Sequence, residues 1–350
     1  MDRAELAARL VSAIDGPERL ALLQERPGLV DVSLAYALKD ICYEAWSTEP
    51  QHAAGAAAAL LSLSDISQDP EIAALAAWVA GIAALTDGQM ERAITHLDDA
   101  EARFLKLDKS HVAASTQVSK TYALAMLGRY DEAIGAGLRA REIFLAHNDM
   151  LAAGRIEHNI GNICWRRDRY QEAGHYLKLA RERFLHSEDY KQLAMIENSL
   201  AYNYTLQHDF RSAEELYEQA FTRAERAGLV VTQAEIEASM GNLALFQGRY
   251  DRALDLFERS RRRYSALGMR HQSAIAELEL ADAYLELNLA TEAAHIYERV
   301  IPTFAELGMR AEQARALAQG GQAALLLGKI DEAHSMLADA RTLYAAEGND

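Results

Sequence analysis

The sequence contains few residues suited to covalent cross-links or structural metal sites. Only two of its 350 residues are cysteine, Cys42 and Cys164, and neither has a closely spaced partner. A disulfide framework or a four-ligand zinc site therefore cannot be built from them, which favours a reducing compartment. Proline is also scarce, at five residues, and half of the chain is apolar. Such a composition is typical of a folded chain and not of a disordered one.

The chain is short of positive charge and of long apolar runs. Its 36 basic and 52 acidic residues give a formal charge of -16 at pH 7. Because nucleic-acid affinity comes mainly from Lys and Arg side chains that neutralise phosphates, we expect no direct nucleic-acid partner. The apolar run at residues 53–61 is too short to span a bilayer, and residues 1–10 lack the apolar core of a signal peptide. We therefore expect a cytoplasmic protein without a membrane partner.

Motifs for catalysis and cofactor binding are missing as well. Gly328 and Lys329 are followed by Ile330, where a phosphate-binding loop needs Ser or Thr. No two histidines have the i, i+4 spacing of a helical metal site. Cys164 falls in an apolar column of the sequence, so it is expected to be a small core residue and not a nucleophile. We expect no catalytic residue, no cofactor and no metal.

A repeat of 40 residues organises most of the sequence. Three columns recur at this period: an alanine, a small residue twelve positions before it, and a nearly always aromatic residue eleven positions after it. The alanines are Ala93, Ala133, Ala173, Ala213, Ala253, Ala293 and Ala333; the small column is Gly81, Thr121, Gly161, Ala201, Gly241, Ala281 and Gly321; the aromatic column is Phe104, Phe144, Phe184, Ala224 as the exception, Tyr264, Phe304 and Tyr344. Columns in one register predict stacked repeats, none of which buries its apolar face alone.

Each repeat has the pattern of two amphipathic helices. Residues 151–167 and 170–186, for example, carry apolar side chains at i, i+3, i+4 and i+7. Glycines stand where these helices should end, a position that favours positive φ. They are Gly128, Gly248 and Gly328 within a repeat and Gly228, Gly268, Gly308 and Gly348 at its end. The small column is expected to let the two helix axes approach closely, and the aromatic column to fill the space between repeats.

These spacings resemble the tetratricopeptide repeat, in which a small residue and an alanine twelve positions later mark the two helices. The resemblance is to extended units such as those of kinesin light chains, Pins/LGN adaptors and bacterial tetratricopeptide-containing regulators. It implies an all-α, right-handed superhelix, an α-solenoid, of about seven to eight helix-turn-helix repeats. The sequence departs from the pattern in the first helix, where a Trp is expected. The residues at that position are Glu157, Glu197, Glu237 and Glu277.

The same register divides the chain. Residues 1–30 are predicted to form N-terminal capping helices, and residues 31–350 the repeat array. The predicted units lie near residues 31–66, 71–108, 111–148, 151–188, 191–228, 231–268, 271–308 and 311–348. The final second helix carries Met336, Leu337, Leu343 and Tyr344, whose counterparts in the preceding repeat would be partly covered by the next one. We expect a downstream domain or self-association to cover this C-terminal repeat.

The resemblance implies that the first helices line a concave groove, so the candidate binding residues are those expected to point into it. They are Arg155, His158, Asn162, Trp165, Arg166, Asn198, Tyr202, Glu235, Asn242, Asp282, Arg315 and Gln322. In six consecutive repeats a hydrogen-bonding side chain follows the small column, either because a groove wall is solvated or because it bonds an extended peptide backbone.

Positive charge is expected to gather in one part of this groove. Arg155, His158 and Arg166 lie beside Trp165 in the helical register, an arrangement that suits an acidic or C-terminal carboxylate-bearing segment. A second group of arginines, in residues 259–263, falls on a second helix. We interpret that group as a solvated stripe.

Two classes of function remain open. The first is a non-catalytic protein–protein interaction module that binds a peptide or protein segment in its concave groove. The second is the sensory or autoinhibitory N-terminal part of a larger bacterial regulator or caspase-like protease, as the resemblance to bacterial repeat-containing regulators implies. In both classes the expected partner is a protein or a peptide.

Overall fold

The computed structural model describes residues 2–46 and 49–346. Within these ranges the secondary structure consists of α-helices and one short 3-10 helix, Pro27–Leu29, without a β-strand. The α-helices are α1 Arg3–Ser12, α2 Gly16–Glu25, α3 Val32–Ala45, α4 Pro50–Ile66, α5 Pro70–Thr86, α6 Met90–Lys106, α7 Ser110–Met126, α8 Tyr130–Ala146, α9 Met150–Trp165, α10 Tyr170–Phe184, α11 Tyr190–Leu206, α12 Phe210–Arg226, α13 Val230–Phe246, α14 Tyr250–Ala266, α15 Arg270–Glu286, α16 Ala290–Leu307, α17 Arg310–Leu326 and α18 Ile330–Ala346. This architecture confirms the predicted all-α fold class.

Helix length and turn spacing follow the sequence period. From α5 onward most helices have 17 residues and are joined by three-residue turns. Nearly every turn of this part of the chain contains one residue with positive φ: Gly88, Asp108, Gly128, Asn148, Asp168, His208, Gly228, Gly248, Gly268, Asn288, Gly308 and Gly328. At Gly128 the amide donates to the carbonyl of Ala125, and Arg129 N donates to Leu124 O, as in a helix C-cap. The glycines predicted to end helices adopt this conformation, except that Gly348 lies outside the described residues.

The helices form two compact bodies. The N-terminal body is Met1–Ser187 and the C-terminal body is Glu188–Asp350. Within each body, consecutive helices of the array pack on one another. The first helices of successive repeats also make contact, α7 with α9 in the N-terminal body, and α11 with α13 and α15 with α17 in the C-terminal body. This consecutive packing is that of an α-solenoid.

The small column marks a close approach of the two helices of a repeat. A Cβ atom added at Gly161 would lie 2.7 Å from Leu177 Cγ and 3.3 Å from the carbonyl oxygen of Ala173. At Gly241 the nearest atom, Phe257 Cε1, would also lie 2.7 Å away. The phenylalanines of the aromatic column are fully buried: Phe104, Phe144, Phe184 and Phe304. Both columns therefore have the packing roles predicted for them.

A buried ion pair occupies the position where the resembled pattern has Trp. Glu157 of α9 is fully buried and accepts hydrogen bonds from Arg183 Nε at 2.6 Å and Arg183 Nη2 at 2.9 Å. Arg141 Nε donates to the same carboxylate at 2.6 Å. Arg141 lies on α8 and Arg183 on α10. One carboxylate therefore ties a first helix to the second helices of two consecutive repeats.

The C-terminal body has glutamate–arginine pairs in the same register: the partners of Glu277 lie on two consecutive second helices, whereas both partners of Glu237 lie on α14. Its glutamates are Glu197, Glu237 and Glu277, and their arginine partners are Arg223 for the first, Arg259 and Arg263 for the second, and Arg261 and Arg299 for the third. We call these pairs, together with those of Glu157, the Glu–Arg ladder. A carboxylate inside an apolar stack keeps its charge only when it is paired and hydrogen-bonded, which explains why each glutamate has an arginine.

The interpretation of residues 259–263 as a solvated stripe is wrong for Arg259, Arg261 and Arg263, whereas Arg262 is exposed and pairs with Glu258 of its own helix. Arg259 and Arg263 donate to the buried Glu237, at 2.6 Å and 2.8 Å. Arg261 donates to Glu258 and lies 3.6 Å from Glu277. These side chains belong to the Glu–Arg ladder because one side of a second helix faces the glutamate of a first helix.

Apolar side chains are exposed on the final helix pair. Leu325 and Leu326 of α17 and Ile330 and Leu337 of α18 are open to solvent. That another domain or a second copy covers this face remains a prediction.

Replacing Gly161 with Ala is expected to destabilise the protein by about 1–3 kcal/mol, because the new methyl group would overlap Leu177. Urea unfolding measures the change. The matched control is Gly135→Ala in α8, where the only neighbour of the added Cβ is Arg139 Nη1 at 3.6 Å. That control should be neutral or stabilise by up to about 1 kcal/mol. Equal effects of the two substitutions would contradict the close approach.

Replacing Glu157 with Ala is expected to cost about 3–5 kcal/mol, because Arg141 and Arg183 would stay partly buried without their carboxylate. Glu132→Ala, which removes an exposed carboxylate paired with Arg129, should have a much smaller effect, because water screens that pair. Urea unfolding of both variants provides the comparison. A cost at Glu157 no larger than that at Glu132 would show that the buried pair does not stabilise the stack.

Candidate functional site

The candidate binding residues lie on first helices of the repeats or at their ends, and they fall into two sets. In the N-terminal body, α9 carries Arg155, His158, Asn162 and Trp165, with Arg166 at its C-cap. In the C-terminal body the residues are Asn198 and Tyr202 on α11, Glu235 and Asn242 on α13, Asp282 on α15, and Arg315 and Gln322 on α17. We call the surface formed by these side chains in each body its first-helix face.

In the N-terminal body the first-helix face combines arginines with aromatic rings. The Arg155 guanidinium carbon lies 5.8 Å from the centroid of the Phe184 ring, and that of Arg166 lies 5.6 Å from the Trp165 ring. Arginines held against rings keep their planar edge in a fixed orientation, which is the geometry needed to bind a carboxylate.

His158 does not supply the positive charge expected of it. The residue is only 5% exposed, and burial lowers its pKa to about 4. The imidazole is therefore neutral at pH 7, and its Nε2 accepts a hydrogen bond from Asn162 Nδ2 at 3.2 Å. The positive charge on this face comes from Arg155 and Arg166, because packing around α9 excludes water from the position between them.

Among the candidate binding residues, two carboxamide oxygens are buried without a hydrogen-bond partner in the described part of the chain; the amide of Asn203 on α11, which is not a candidate, is buried in the same way. The two oxygens are Asn162 Oδ1 in the N-terminal body and Asn198 Oδ1 in the C-terminal body. Asn242 differs, since its Nδ2 donates to the carbonyl of Ala238 one turn earlier. A buried acceptor that lacks a donor destabilises the free protein and is satisfied when a donor arrives.

Asp282 and Arg315 form an ion pair with each other. Arg315 Nη2 donates to one Asp282 oxygen, and the hydroxyl of Tyr297 donates to the other at 2.6 Å. The structure thus brings two predicted residues together as an internal ion pair.

Sequence reasoning missed Glu279 on α15, a half-buried carboxylate of the first-helix face in the C-terminal body. Burial raises the pKa of Glu279 to about 7, an effect that Arg315 opposes and Asp282 reinforces. The sequence does single out this residue: among the equivalent positions of the repeats from residue 111 onward, Glu279 is charged and the others are small or uncharged polar residues. The other members are Ser119, Asn159, Ser199, Ser239 and Gln319.

The described residues offer little for nucleophilic or metal chemistry. Cys42 and Cys164 are fully buried, and desolvation raises the pKa of their thiols to about 12 and about 11. No three His, Cys, Asp or Glu side chains in the described ranges converge on a metal position. Across the same ranges, every helix is too short or too polar to cross a bilayer.

Comparison with known proteins identifies the repeat. A sequence model of the tetratricopeptide repeat matches residues 153–226. A search of curated proteins returned no match.

Solved structures share the fold at low sequence identity. One is a signal transduction ATPase with numerous domains and a tetratricopeptide repeat sensor, from Pyrococcus horikoshii. The superposition covers 97% of this chain and 52% of the ATPase, at TM-score 0.65 and 14% identity. A second is a Rap protein complexed with competence and sporulation factor. The superposition covers 91% of this chain and 94% of the Rap protein, at TM-score 0.64 and 14% identity. A third is aspartyl phosphate phosphatase F from Bacillus subtilis. The superposition covers 98% of this chain and 94% of the phosphatase, at TM-score 0.59 and 10% identity.

The buried His158 is expected to make the protein acid-sensitive. Because its folded pKa of about 4 lies below the value of 6.5 for a free imidazole, its contribution to stability is complete above pH 6.5 and is lost as the pH falls toward 4. The loss should be about 3 kcal/mol. Urea unfolding at both ends of this range tests it. His158→Gln should flatten the pH dependence and the exposed His175→Gln should not; an unchanged slope in His158→Gln would contradict the assignment.

Proposed function

Because the chain belongs to the tetratricopeptide-repeat superfamily, we propose that it is a non-catalytic interaction module that binds an extended segment of another polypeptide on its first-helix faces. The observation that carries this proposal is the pair of buried, unpaired carboxamide oxygens, Asn162 Oδ1 and Asn198 Oδ1. An extended peptide brings backbone N–H groups at regular intervals, and each can donate to such an acceptor.

The surroundings of these amides support a polypeptide ligand. Tyr122 and Phe246, on α7 and α13, are exposed aromatic side chains of first helices that can pack against a partner. Arg155 and Arg166 suit acidic side chains or a terminal carboxylate on the N-terminal body. The face is open along its helices, and a long flexible ligand fits an open face better than a small molecule, which needs an enclosing cavity.

Two surface cavities among the described residues lie away from the candidate binding residues. One, of about 270 Å³, is lined by Pro70, Asp99, Arg103, Lys106 and Leu107. The other, of about 460 Å³, is lined by Glu215, Glu218, Gln219, Thr222, Arg223 and Arg226 of α12. Neither contains a candidate binding residue, so the cavities do not favour a small-molecule site on the first helices.

A second function is favoured by one specific observation. The chain matches about half of the Pyrococcus horikoshii ATPase, a protein that has a tetratricopeptide repeat sensor. The array would then be the sensory or autoinhibitory part of a larger regulator, and its ligand would alter the state of an attached effector. The Rap protein complexed with competence and sporulation factor is consistent with ligand capture in either case.

Removal of the unpaired amides is expected to weaken binding. Peptides selected by the 350-residue chain from an array of random twelve-residue sequences serve as probes, measured by fluorescence anisotropy. Asn162→Ala and Asn198→Ala should each reduce affinity by about 1–3 kcal/mol, or roughly 5–150-fold, because a peptide N–H loses its acceptor. The control is Gln51→Ala, an exposed amide on the second helix α4.

Three results would contradict the proposal. The array could select no peptide, or the selected peptides could bind both Asn variants as tightly as the unsubstituted chain. Hydrolysis of acetyl phosphate by the purified protein, above the rate in buffer, would refute the non-catalytic part. That assay is included because a phosphatase shares the fold.

A further inference from the structure

One side of α3 carries a lysine and two aromatic residues. Lys39, Tyr43 and Trp46 follow one another at i, i+4 and i+7, so they lie along the same side of the helix and its C-cap. The Trp46 ring meets the exposed ring of Tyr122, on α7, edge to face at 5.4 Å between centroids. Tyr122 lies one 40-residue period before Asn162, in a column that supplies candidate binding residues. This side of α3 therefore borders the first-helix face of the N-terminal body.

The Lys39 side chain lies over the ring of Trp78 on α5. Its Nζ is 5.0 Å from the centroid of that ring and 6.0 Å from the centroid of the Tyr43 ring. The Lys39 side chain is only 14% exposed, and in the described part of the chain its one hydrogen bond goes to the exposed carboxylate of Asp40. An ammonium group has three N–H donors, so two of them remain for another acceptor.

Trp78 has a buried N–H group that is not satisfied. The residue is 4% exposed, and none of the described residues accepts a hydrogen bond from its Nε1. Its ring packs edge to face against Phe104, at 6.2 Å between centroids. Trp78 lies 80 residues, or two periods, before His158 of the first-helix face. A buried N–H without an acceptor destabilises the free protein and is satisfied when an acceptor arrives.

The two donors are close enough to bind one ligand. Because Nε1 is an atom of the ring over which Lys39 lies, both nitrogens are within reach of one carboxylate, whose two oxygens accept hydrogen bonds of about 2.8 Å each. The lysine stem is flexible, so the ammonium can move with a ligand and uncover the edge of the ring. A neutral acceptor would satisfy Nε1 but would leave the desolvated ammonium with Asp40 alone.

The neighbouring first helices do not oppose a negative ligand. Helices α5, α7 and α9 contain two acidic residues, Glu71 and Glu157. Glu71 is bonded to Lys109, and Glu157 is bonded to Arg141 and Arg183. Both acids are therefore neutralised, in a chain whose formal charge is -16. Local charge here favours an anion, although the molecule as a whole repels one.

We propose that Lys39 and Trp78 form a site for the side-chain carboxylate of an aspartate or glutamate in a segment bound to the N-terminal body. The inference rests on the proposed function and names the chemistry of the partner at two residues outside the candidate set. Lys39 Nζ and Trp78 Nε1 donate to the carboxylate oxygens. The rings of Tyr43, Trp46 and Tyr122 border the site and limit the water around it, which strengthens the ion pair.

The first experiment compares peptides of defined charge with the 350-residue chain. The probes are rhodamine-labelled twelve-residue peptides of alternating Glu and Ser, Gln and Ser, or Lys and Ser, with both termini blocked so that no terminal carboxylate is present. At about 150 mM salt we expect the Glu peptide to bind more tightly than the other two. Lys39→Met should weaken the Glu peptide about tenfold or more and leave the Gln peptide unchanged. Trp78→Phe should weaken it a few-fold, since the ring stays and one hydrogen bond is lost.

A matched control separates this site from general charge. Lys106→Met removes an exposed cation from the second helix α6 of the same body and should change the affinity for the Glu peptide less than about twofold. Equal weakening by Lys39→Met and Lys106→Met would overturn the proposal. A Glu peptide that binds no more tightly than the Gln peptide would overturn it as well.

The Asp40 carboxylate provides a second test, because it competes with the ligand for Lys39. Asp40→Asn should raise the affinity for the Glu peptide a few-fold. Glu44→Gln removes the same charge from an exposed position one turn later in α3 and should have a smaller effect. If Asp40→Asn raises the affinity no more than Glu44→Gln does, Lys39 is not the group that binds the carboxylate.

The indole N–H signals report on Trp78 directly. The chain has three tryptophans, so nitrogen-15 labelling gives three indole signals, which Trp→Phe variants assign. In the complex with the Glu peptide the Trp78 indole proton should shift downfield, because its N–H gains an acceptor, and the Gln peptide should not produce this shift. A Trp78 signal that stays unchanged at saturation would overturn the assignment.

Failure of this site and failure of the proposed function give different results. If array-selected peptides bind in an Asn162- and Asn198-dependent manner but show no preference for Asp or Glu and ignore Lys39 and Trp78, segment binding stands and the carboxylate site is wrong. If no peptide binds at all, both are wrong. Displacement of the Glu peptide by inorganic phosphate at equal ionic strength would show a small-anion site and overturn the assignment to a polypeptide. Circular dichroism and melting of each variant confirm that it is folded.

Discussion

The close approach of the two helices within each repeat is the constraint on which the rest of the structure depends. At Gly161 even one methyl group would overlap Leu177, so the two helices can pack this closely only because position 161 has no side chain. Repetition of this contact every 40 residues stacks the repeats and brings the first helices beside one another. The first-helix faces follow from that stacking, and their side chains are held by helices and not by loops.

The Glu–Arg ladder places a directional interaction inside this apolar stack. Apolar contacts tolerate small sliding movements, whereas a carboxylate bonded by Arg141 and Arg183 from two consecutive second helices fits only one relative position. We interpret the ladder as a device that fixes the register between neighbouring repeats. It also commits several of the basic residues of an acidic protein to internal pairs, which leaves fewer of them to offset negative charge on the surface.

Equivalent positions of the two bodies carry opposite charge. Arg155 lies against Phe184 in the N-terminal body, and Glu235 occupies the same register position as Arg155 in the C-terminal body. Since the backbone of a repeat protein varies little from one repeat to the next, selection of a partner depends on a few side chains at fixed positions. A solenoid can in this way present a different chemistry to each part of a ligand without changing its fold.

The sequence by itself determined the helix pairs, their period, the turn positions and the buried columns, because apolar periodicity and helix caps are properties of single helices that recur along the chain. It also indicated which faces of the first helices are polar. It did not determine that Glu157 meets Arg183, that His158 is neutral, or that Glu279 is partly desolvated. Those properties depend on pairing and on the exclusion of water by atoms of other helices, and only tertiary packing brings those atoms together.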